Sequence, residues 1–343
     1  MASKKYKIAV LPGDGVGPEV VNAALKVLNA VQQVSNLNFE FLIGEAGLNC
    51  IEKYGTNLPS HTIDLIKESD ACLKGPMTTP EGAGTHVSVA VQLRKMFNLY
   101  ANVRPCKSLP NVPSLKPNID LIVLRENTEG LYSGKEFEVV PGIGIALRII
   151  SREASERIAR FGFNLALKRK KHVTFIHKAN ILKITDGIFT QSVLNVAKEF
   201  PEVQVDDMHI DAAAMQLIKK PEFFDVIVTT NLFGDILSDE AAQIVGGLGI
   251  VPGANIGDTY GMFEPVHGSA PKYAGQNKVN PIATILASKM MLEYLKEFEA
   301  AKKIENAVLK VLNEGKILTY DLGGSAKTSD VAEAISKNIL LSE

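Results

Sequence analysis

The sequence predicts an α/β protein built around a largely parallel sheet, and three observations carry that expectation. Short apolar runs recur at Phe39 to Ile43, Ala71 to Leu73, Ile119 to Leu124, Val173 to Ile176 and Val226 to Thr230. Longer segments with helical apolar spacing, such as Ser151 to Lys170, separate them, and the chain opens as strand, glycine turn and helix. Strands alternating with helices form crossover units, and strands buried on both faces read as continuous apolar runs. The opening unit runs from Lys7 to Leu11, through Pro12-Gly13-Asp14-Gly15-Val16-Gly17-Pro18-Glu19, and on as a helix to Val34. Pro18 suits the first helical turn, where its missing N–H has no partner to lose. The glycine-rich stretch from Gly246 to Gly261, which includes Pro252, is where the chain is expected to change direction. No short-period repeat or low-complexity linker divides the chain.

Length and charge narrow the function classes. The chain has 343 residues, room for about two domains at roughly 150 residues each. Its 37 basic and 38 acidic residues leave a formal net charge of −1, so no global positive field draws it to nucleic acid or an anionic membrane. Apolar residues at 46% and charged ones at 22% exclude long disorder and a disulfide-rich miniprotein. Cys50, Cys72 and Cys106 are widely spaced and odd in number, which fits a reducing compartment and small buried apolar residues rather than bridges. No apolar stretch is long enough to span a bilayer. The start MASKKYK leads almost at once into the first strand, so a cytoplasmic location is expected.

Several clusters carry chemistry. The Gly13 to Gly17 turn follows a strand and precedes a helix, where backbone N–H groups can meet a ligand. It departs from GxGxxG at Pro18, however, and a plain tight turn reads equally well. Asp235 and Asp239 stand four apart and share a helix face; like charges so placed repel unless a cation lies between them. With oxygen donors only, that cation is hard, Mg²⁺ or Mn²⁺; the bland alternative is a solvated acidic helix start. Asp211 offers a third ligand or an N-cap. Arg94, Arg104 and Arg125 recur through the first half, and guanidinium forks suit small polycarboxylates, although surface solubility explains any one alone.

Gly13-Asp14-Gly15-Val16-Gly17-Pro18-Glu19, Asn102-Val103-Arg104-Pro105, Arg125-Glu126-Asn127-Thr128-Glu129-Gly130-Leu131-Tyr132, His177-Lys178-Ala179-Asn180, Asn231 to Asp239 and His267-Gly268-Ser269-Ala270-Pro271 occur in that order. Together they resemble the β-decarboxylating dehydrogenases, which comprise isocitrate, homoisocitrate and 3-isopropylmalate dehydrogenases. The resemblance runs from about Tyr6 to Ile335. It implies a two-domain α/β fold around a central mixed sheet, distinct from the Rossmann type. Residues 1–103 and 256–343 would form a large cofactor-side domain, and 104–255 a smaller central domain that dimerises.

The resemblance further implies a reaction: oxidation of a 2-hydroxy acid by NAD(P)⁺, then loss of the carboxylate on the neighbouring carbon as CO₂, with one divalent ion serving both steps. Asp211, Asp235 and Asp239 look like the ligands of that ion, with Asp211 expected from the partner subunit. Lys178 matches the base that removes the hydroxyl proton, Tyr132 the residue that helps protonate the enol product, and Asn180 a nicotinamide-side contact. Arg94, Arg104 and Arg125 match the arginines that grip the substrate carboxylates. Without the resemblance, Lys178 reads as a surface lysine after a strand and Tyr132 as a half-buried aromatic beside a glycine turn.

For the substrate, Ser88 sits six residues before Arg94, as in the isocitrate enzymes, and its hydroxyl favours a polar tail. 3-Isopropylmalate would ask for apolar side chains there. Ala90 stands where those enzymes usually carry asparagine, and the Thr79 to Ser88 stretch is one residue longer than usual, so homoisocitrate or dual activity is the alternative. For the cofactor, His267, Gly268, Ser269, Ala270 and Pro271 match the loop near the adenosine. Lys272, Tyr273 and Tyr320 suit a 2′-phosphate, and Asn280 is expected at the adenine. NADP⁺ is therefore expected before NAD⁺, although Gly324 stands where an arginine is often found. A regulatory subunit without turnover is the rival from another class, disfavoured by retention of Tyr132, Lys178 and the three aspartates. The remaining histidines share no spacing.

Overall fold

A computed structural model describes residues 4–82 and 84–341. Its opening segment holds β1 (Lys4–Leu11), α1 (Gly17–Gln33), β2 (Leu37–Ile43), α2 (Leu48–Tyr54), α3 (Ser60–Lys67), β3 (Ala71–Lys74), α4 (Val89–Met96), β4 (Ala101–Lys107) and β5 (Asp120–Glu126). The middle holds β6 (Glu136–Val140), β7 (Ile143–Ala146), α5 (Arg152–Ala166), β8 (His172–His177), α6 (Thr185–Ala197), β9 (Gln204–His209), α7 (Ile210–Lys219), β10 (Val226–Thr229) and α8 (Asn231–Ile244). The chain closes with β11 (Pro252–Ile256), β12 (Gly261–Pro265), α9 (Ile282–Tyr294), α10 (Phe298–Glu314) and α11 (Thr328–Leu340).

Among the described residues ten strands form one sheet, in the order β2-β1-β3-β12-β11-β4-β5-β10-β8-β9. The expected runs all became strands. The sheet is largely parallel, as expected, and mixed: β11 is antiparallel to both β12 and β4, and β4 is antiparallel to β5. Parallel pairing holds in the blocks on either side, β2-β1-β3-β12 and β5-β10-β8-β9. The antiparallel centre escapes an apolar-run search because its strands, ANVRPCK, PGANI and GMFEP, carry Arg, Pro, Asn and Glu. Pro105 is tolerated because β11 pairs with β4 only as far as Val103, which leaves no ladder bond for a proline to break on that side.

Helices cover the sheet. In α1, Pro18 and Glu19 occupy the first turn, while Val20, Val21, Ala24, Val27, Leu28 and Val31 are buried, the repeat of a helix lying on a core. Ser151 caps α5, its side chain accepting from Ala154 N at 3.2 Å, and α5 packs on β5, β8 and β10. α8 packs on β4 and β5, the strands bearing Arg104 and Arg125.

Some apolar surface is left uncovered. Every residue of β6 and β7 is exposed, including Phe137, Val139, Val140, Ile143 and Ile145. Met215 and Ile218 on α7 and Ile236 on α8 are at least 57% exposed. No helix among the described residues is long and apolar enough to cross a membrane.

Candidate active site

The register of the antiparallel centre puts polar residues in one row. Asn255 on β11 pairs with Asn102 on β4, which pairs with Arg125 on β5. Directly opposed residues share a face, and Arg104, two residues from Asn102, joins them. α8 lies across this row. Arg125 is 1% exposed; its Nε and Nη2 donate to Asn231 Oδ1 at 2.9 and 2.7 Å, and Nη1 pairs with Asp235. A side chain on Gly234 would meet Arg125 Cβ at 2.6 Å, so glycine here lets the helix seat on the arginine. Arg104 Nη1 donates to Ser238 Oγ at 2.7 Å and Asp239 Oδ1 at 3.0 Å, and its Nη2 reaches Asp235 Oδ1 at 3.4 Å. Asp235 and Asp239 therefore do share one face, and they converge on one guanidinium.

Tyr132 completes this group. Its hydroxyl donates to Asp235 Oδ2 and its ring lies 4.7 Å beneath the Arg125 guanidinium. Burial, the Asp235 hydrogen bond and the Asp235 charge push the phenol up, so it keeps its proton at neutral pH. Burial also acts to raise Asp235, but Arg125 and Arg104 overcome it and hold the carboxyl below its ordinary range. Asp239 goes the other way, raised by burial and by the Asp235 charge against the pull of Arg104. Burial is the largest influence on Arg125 and, with Arg94, lowers it to about 10, which still leaves it charged at neutral pH.

Arg94 reaches the same cleft from α4. A cavity of about 170 Å³ is lined by Ser88, Ala90, Arg94, Arg104, Lys74 and His267, among others. Ser88 is the N-cap residue of α4, yet its side chain makes no capping bond, which leaves the hydroxyl for the cavity.

Lys178 and Asp211 form a second group. Lys178 follows β8, its backbone N bonded to the buried Asp186 Oδ2 at 2.6 Å, and Asp186 is neutralised by Arg148 at 2.5 Å. Its Nζ pairs with Asp211, in the first turn of α7, and holds that carboxyl below its usual range. Asn180 lies exposed two residues further on. The three aspartates are not brought together in one chain: no group of three His, Cys, Asp or Glu placed to hold a metal occurs among the described residues.

The His267 to Pro271 loop packs against the opening turn. Val16 N donates to Ser269 O and Asp14 N to Pro76 O, both at 2.9 Å, while Asp14 accepts from Leu48 N and Thr78 N. Gly15 has φ +58°, and a Cβ there would meet Ser269 O at 2.0 Å. The N–H groups of Asp14, Val16 and Gly17 are thus spent on protein carbonyls, which favours the tight-turn reading of Gly13 to Gly17 over direct ligand contact. Ser269 Oγ bonds Thr78 Oγ1 at 2.6 Å, and Ala270 takes φ 38° before the 3₁₀ turn Pro271–Tyr273. His267 Nδ1 faces Gly268 O, its Nε2 is buried without a partner, and burial lowers the ring so that it is neutral. Asn280 is buried, donating to Asp321 at 3.0 Å and accepting from Ile282 N.

Against this geometry, the description "Isocitrate/isopropylmalate dehydrogenase" matches residues 7–335. The chain belongs to the isocitrate/isopropylmalate dehydrogenase family. It is 50% identical over 340 residues to the 3-isopropylmalate/3-methylmalate dehydrogenase of Methanocaldococcus jannaschii, covering 97% of this chain and 99% of that one. It is 49% identical over 332 residues to the isocitrate/homoisocitrate dehydrogenase of Thermus thermophilus, covering 96% and 97%. The crystal structure of isocitrate dehydrogenase from Methylococcus capsulatus superposes with TM-score 0.94 at 44% identity, covering 98% of this chain and 99% of that one. The protein is accordingly an NAD(P)-dependent dehydrogenase that decarboxylates a hydroxy acid, and its fold is the family's, not a Rossmann arrangement.

Family members use a divalent metal and NAD(P), and the donors present fit both. Asp235 and Asp239 offer oxygen only, and the upward push on Asp239 from its neighbour's charge is the repulsion a hard cation relieves. Around Tyr273 the field is positive: a Tyr320 hydrogen bond, Lys272 and Lys278 all lower its phenol. Lys278 went unnoticed in the sequence. Its Nζ lies 4.7 Å from the Tyr320 ring and 5.8 Å from that of Tyr273. A Cβ on Gly324 would strike Leu318 O at 2.0 Å, so no arginine fits there on this backbone. Lys74 and Glu264 were also missed. Both are buried, with Lys74 Nζ 2.6 Å from Glu264 Oε2 and Arg94 Nη2 3.1 Å from Glu264 Oε1. Glu264 lies three residues before His267, so the motif could have pointed to it.

Proposed function

We propose that this chain catalyses NADP⁺-dependent oxidative decarboxylation of isocitrate to 2-oxoglutarate and CO₂, as a cytoplasmic homodimer or higher oligomer with shared active sites. The observation that carries the substrate reading is Ser88: an uncapping hydroxyl in one cavity with Arg94 and Arg104, a polar lining that suits a carboxylate tail. Arg94, Arg104 and Arg125 clamp the substrate carboxylates, and their charge is set before the substrate arrives. Lys178 Nζ, acting as the neutral amine, takes the hydroxyl proton and becomes the ammonium that pairs with Asp211. As the C–C bond to the neighbouring carboxylate breaks and CO₂ leaves, Tyr132 delivers a proton to the carbon so exposed. When bound, Mg²⁺ or Mn²⁺ on Asp235, Asp239 and the partner's equivalent of Asp211 supplies Lewis-acid charge at the alcohol oxygen, and the nicotinamide supplies the hydride acceptor.

The shared site rests on the two separate groups. Asp211 is ion-paired to Lys178, so a subunit that donates Asp211 across a two-fold axis brings Lys178 with it. The uncovered apolar residues of β6, β7, α7 and α8 are the surface such a dimer would bury. The proposed lobes, 1–103 with 256–343 and 104–255, divide within β4 and β11, beside the cavity.

The relatives differ in the hydroxy acids their names give, so identity alone does not choose among substrates. Homoisocitrate is the second reading, favoured by Ala90, whose small side chain lines the same cavity. A purified-protein assay of isocitrate, homoisocitrate and 3-isopropylmalate is expected to give isocitrate the largest kcat/KM. Because a methylene discriminates by only about 1–3 kcal/mol, homoisocitrate should follow within roughly 200-fold. A larger kcat/KM for either rival overturns the substrate assignment.

NADP⁺ is favoured by the Lys272, Lys278, Tyr273 and Tyr320 cluster. Replacing Lys272 with Asp and Tyr273 with Ile puts a carboxylate where the 2′-phosphate would lie and removes a hydroxyl donor. The double variant is expected to shift the NADP⁺/NAD⁺ ratio of kcat/KM toward NAD⁺ by about 100-fold, the worth of two charge-assisted hydrogen bonds. An unchanged ratio would discredit the phosphate site.

A further inference from the structure

A catalytic arginine is useful only if its fork is already aimed, and the cleft contains a buried device that aims Arg94. Asn255 is fully buried at the centre of the antiparallel strands. Its Oδ1 accepts from Arg94 Nε at 2.9 Å, from Asn102 Nδ2 at 2.8 Å and from Asn127 Nδ2 at 2.9 Å. Its Nδ2 donates to Glu264 Oε1 at 2.8 Å and to Met262 O at 3.3 Å. The donors fix which end of the amide faces Arg94, because a flipped amide would set N–H against N–H at three places. Three donors also crowd an oxygen with two lone pairs, and the buried Oδ1 atoms of Asn102 and Asn127 go without partners. Such unmet acceptors are costly in a core. Both amides spend their N–H on Asn255 nonetheless, so the hub is held by more groups than it can fully satisfy.

The same hub divides the labour of Arg94. Nε is committed to Asn255 and Nη2 to Glu264, while Nη1 has no hydrogen-bond partner among the described residues. Glu264 is itself held by Lys74 Nζ at 2.6 Å. The arginine is thereby locked on one edge, with the other available to the cavity lined by Ser88, Arg104 and His267.

We propose that Asn255 is a positioning residue for substrate binding: as the acceptor of Arg94 Nε, donor to Glu264 and tie to Asn102 and Asn127, it sets the guanidinium plane that receives a substrate carboxylate. This rests on reading Arg94 as a substrate arginine, and the test separates the two claims. Arg94→Ala, Asn255→Ala and the double variant are compared by steady-state kinetics with isocitrate and NADP⁺. Asn255→Ala is expected to raise the KM for isocitrate about tenfold to a hundredfold, as loss of a hydrogen bond to a charged group does, with the NADP⁺ KM changed less than about twofold. In the Arg94→Ala background the same substitution is expected to add nothing, because the group it aims is gone.

An Asn255→Ala effect of equal size in both backgrounds, or parallel rises in both KM values, marks a merely structural role and overturns the proposal. If Arg94→Ala alone leaves the isocitrate KM unchanged, the reading of the cleft fails instead. Where Asn255→Ala does not fold, Asn255→Ser enters the same cycle, with the same outcomes.

Discussion

Lys178→Met is expected to lower kcat by about 10³-fold to 10⁴-fold, the contribution of a positioned general base near the top of the usual range, while Mn²⁺ affinity stays within about threefold. The backbone N–H of Lys178 is tied to Asp186, and Asp186 to Arg148, so the turn after β8 is fixed by a buried ion pair independent of the lysine side chain. Methionine matches the lysine stem in length and flexibility but cannot take a proton, so the turn survives and the base does not. Asp211 loses its cationic partner, and a carboxylate without one has no reason to bind a divalent ion less well. Turnover with isocitrate, and Mn²⁺ binding followed by electron paramagnetic resonance, read the two effects separately. Turnover equal to that of the unaltered protein would remove Lys178 from the proton-transfer role, and a parallel collapse of Mn²⁺ binding would reassign it to building the metal site.

The sequence made different parts of this site visible for different physical reasons. Asp235 and Asp239 were legible because helical periodicity alone puts residues four apart on one face, and the structure has both contacting Arg104. The parallel blocks were legible because their strands are buried on both faces, and runs such as Ala71-Cys72-Leu73 and Val226-Ile227-Val228 are accordingly apolar at every position. The antiparallel centre was not, for the same reason inverted. Its buried positions include Asn102, Arg104, Asn255 and Glu264, which satisfy one another across strands brought together only by the fold. A polar residue in a strand reads as an interruption until its partner 153 residues away is known. The region around Gly246 to Gly261 was expected to turn, and it does pass through a 3₁₀ turn at Leu248–Ile250, but it then contributes β11. Lys278 was hidden in another way: nothing in Asn277-Lys278-Val279 signals a ligand until Tyr273 and Tyr320 are seen beside it.

The division of the site into two groups makes the second large prediction, restoration of activity by mixing two inactive proteins. Arg104, Arg125, Tyr132, Asp235 and Asp239 are linked directly or through shared partners in one chain and Arg94 lines one cavity with Arg104, whereas Lys178 pairs with Asp211 on α7. If each active centre takes the first group from one subunit and the second from its two-fold mate, Lys178→Met and Asp239→Asn damage opposite halves. Each homodimer then carries a fault in both of its centres and is expected to be nearly inactive. In a heterodimer of the two variants, one centre collects both faults and the other collects neither. Random exchange between equal amounts makes half of the dimers mixed, with one intact centre each, so activity should climb to about a quarter of the unaltered protein's. The rise should follow the rate of subunit exchange and vanish when the dimers are crosslinked before mixing. Two variants from the same group, Asp235→Asn with Asp239→Asn, give no intact centre in any combination and serve as the control. Were the Lys178→Met and Asp239→Asn mixture to stay as inactive as its parents after complete exchange, each chain would have to hold a whole centre by itself. Lys178 and Asp211 would then need to travel to α8 within one subunit, a rearrangement of β8 and α7 that the buried Asp186–Arg148 tie opposes.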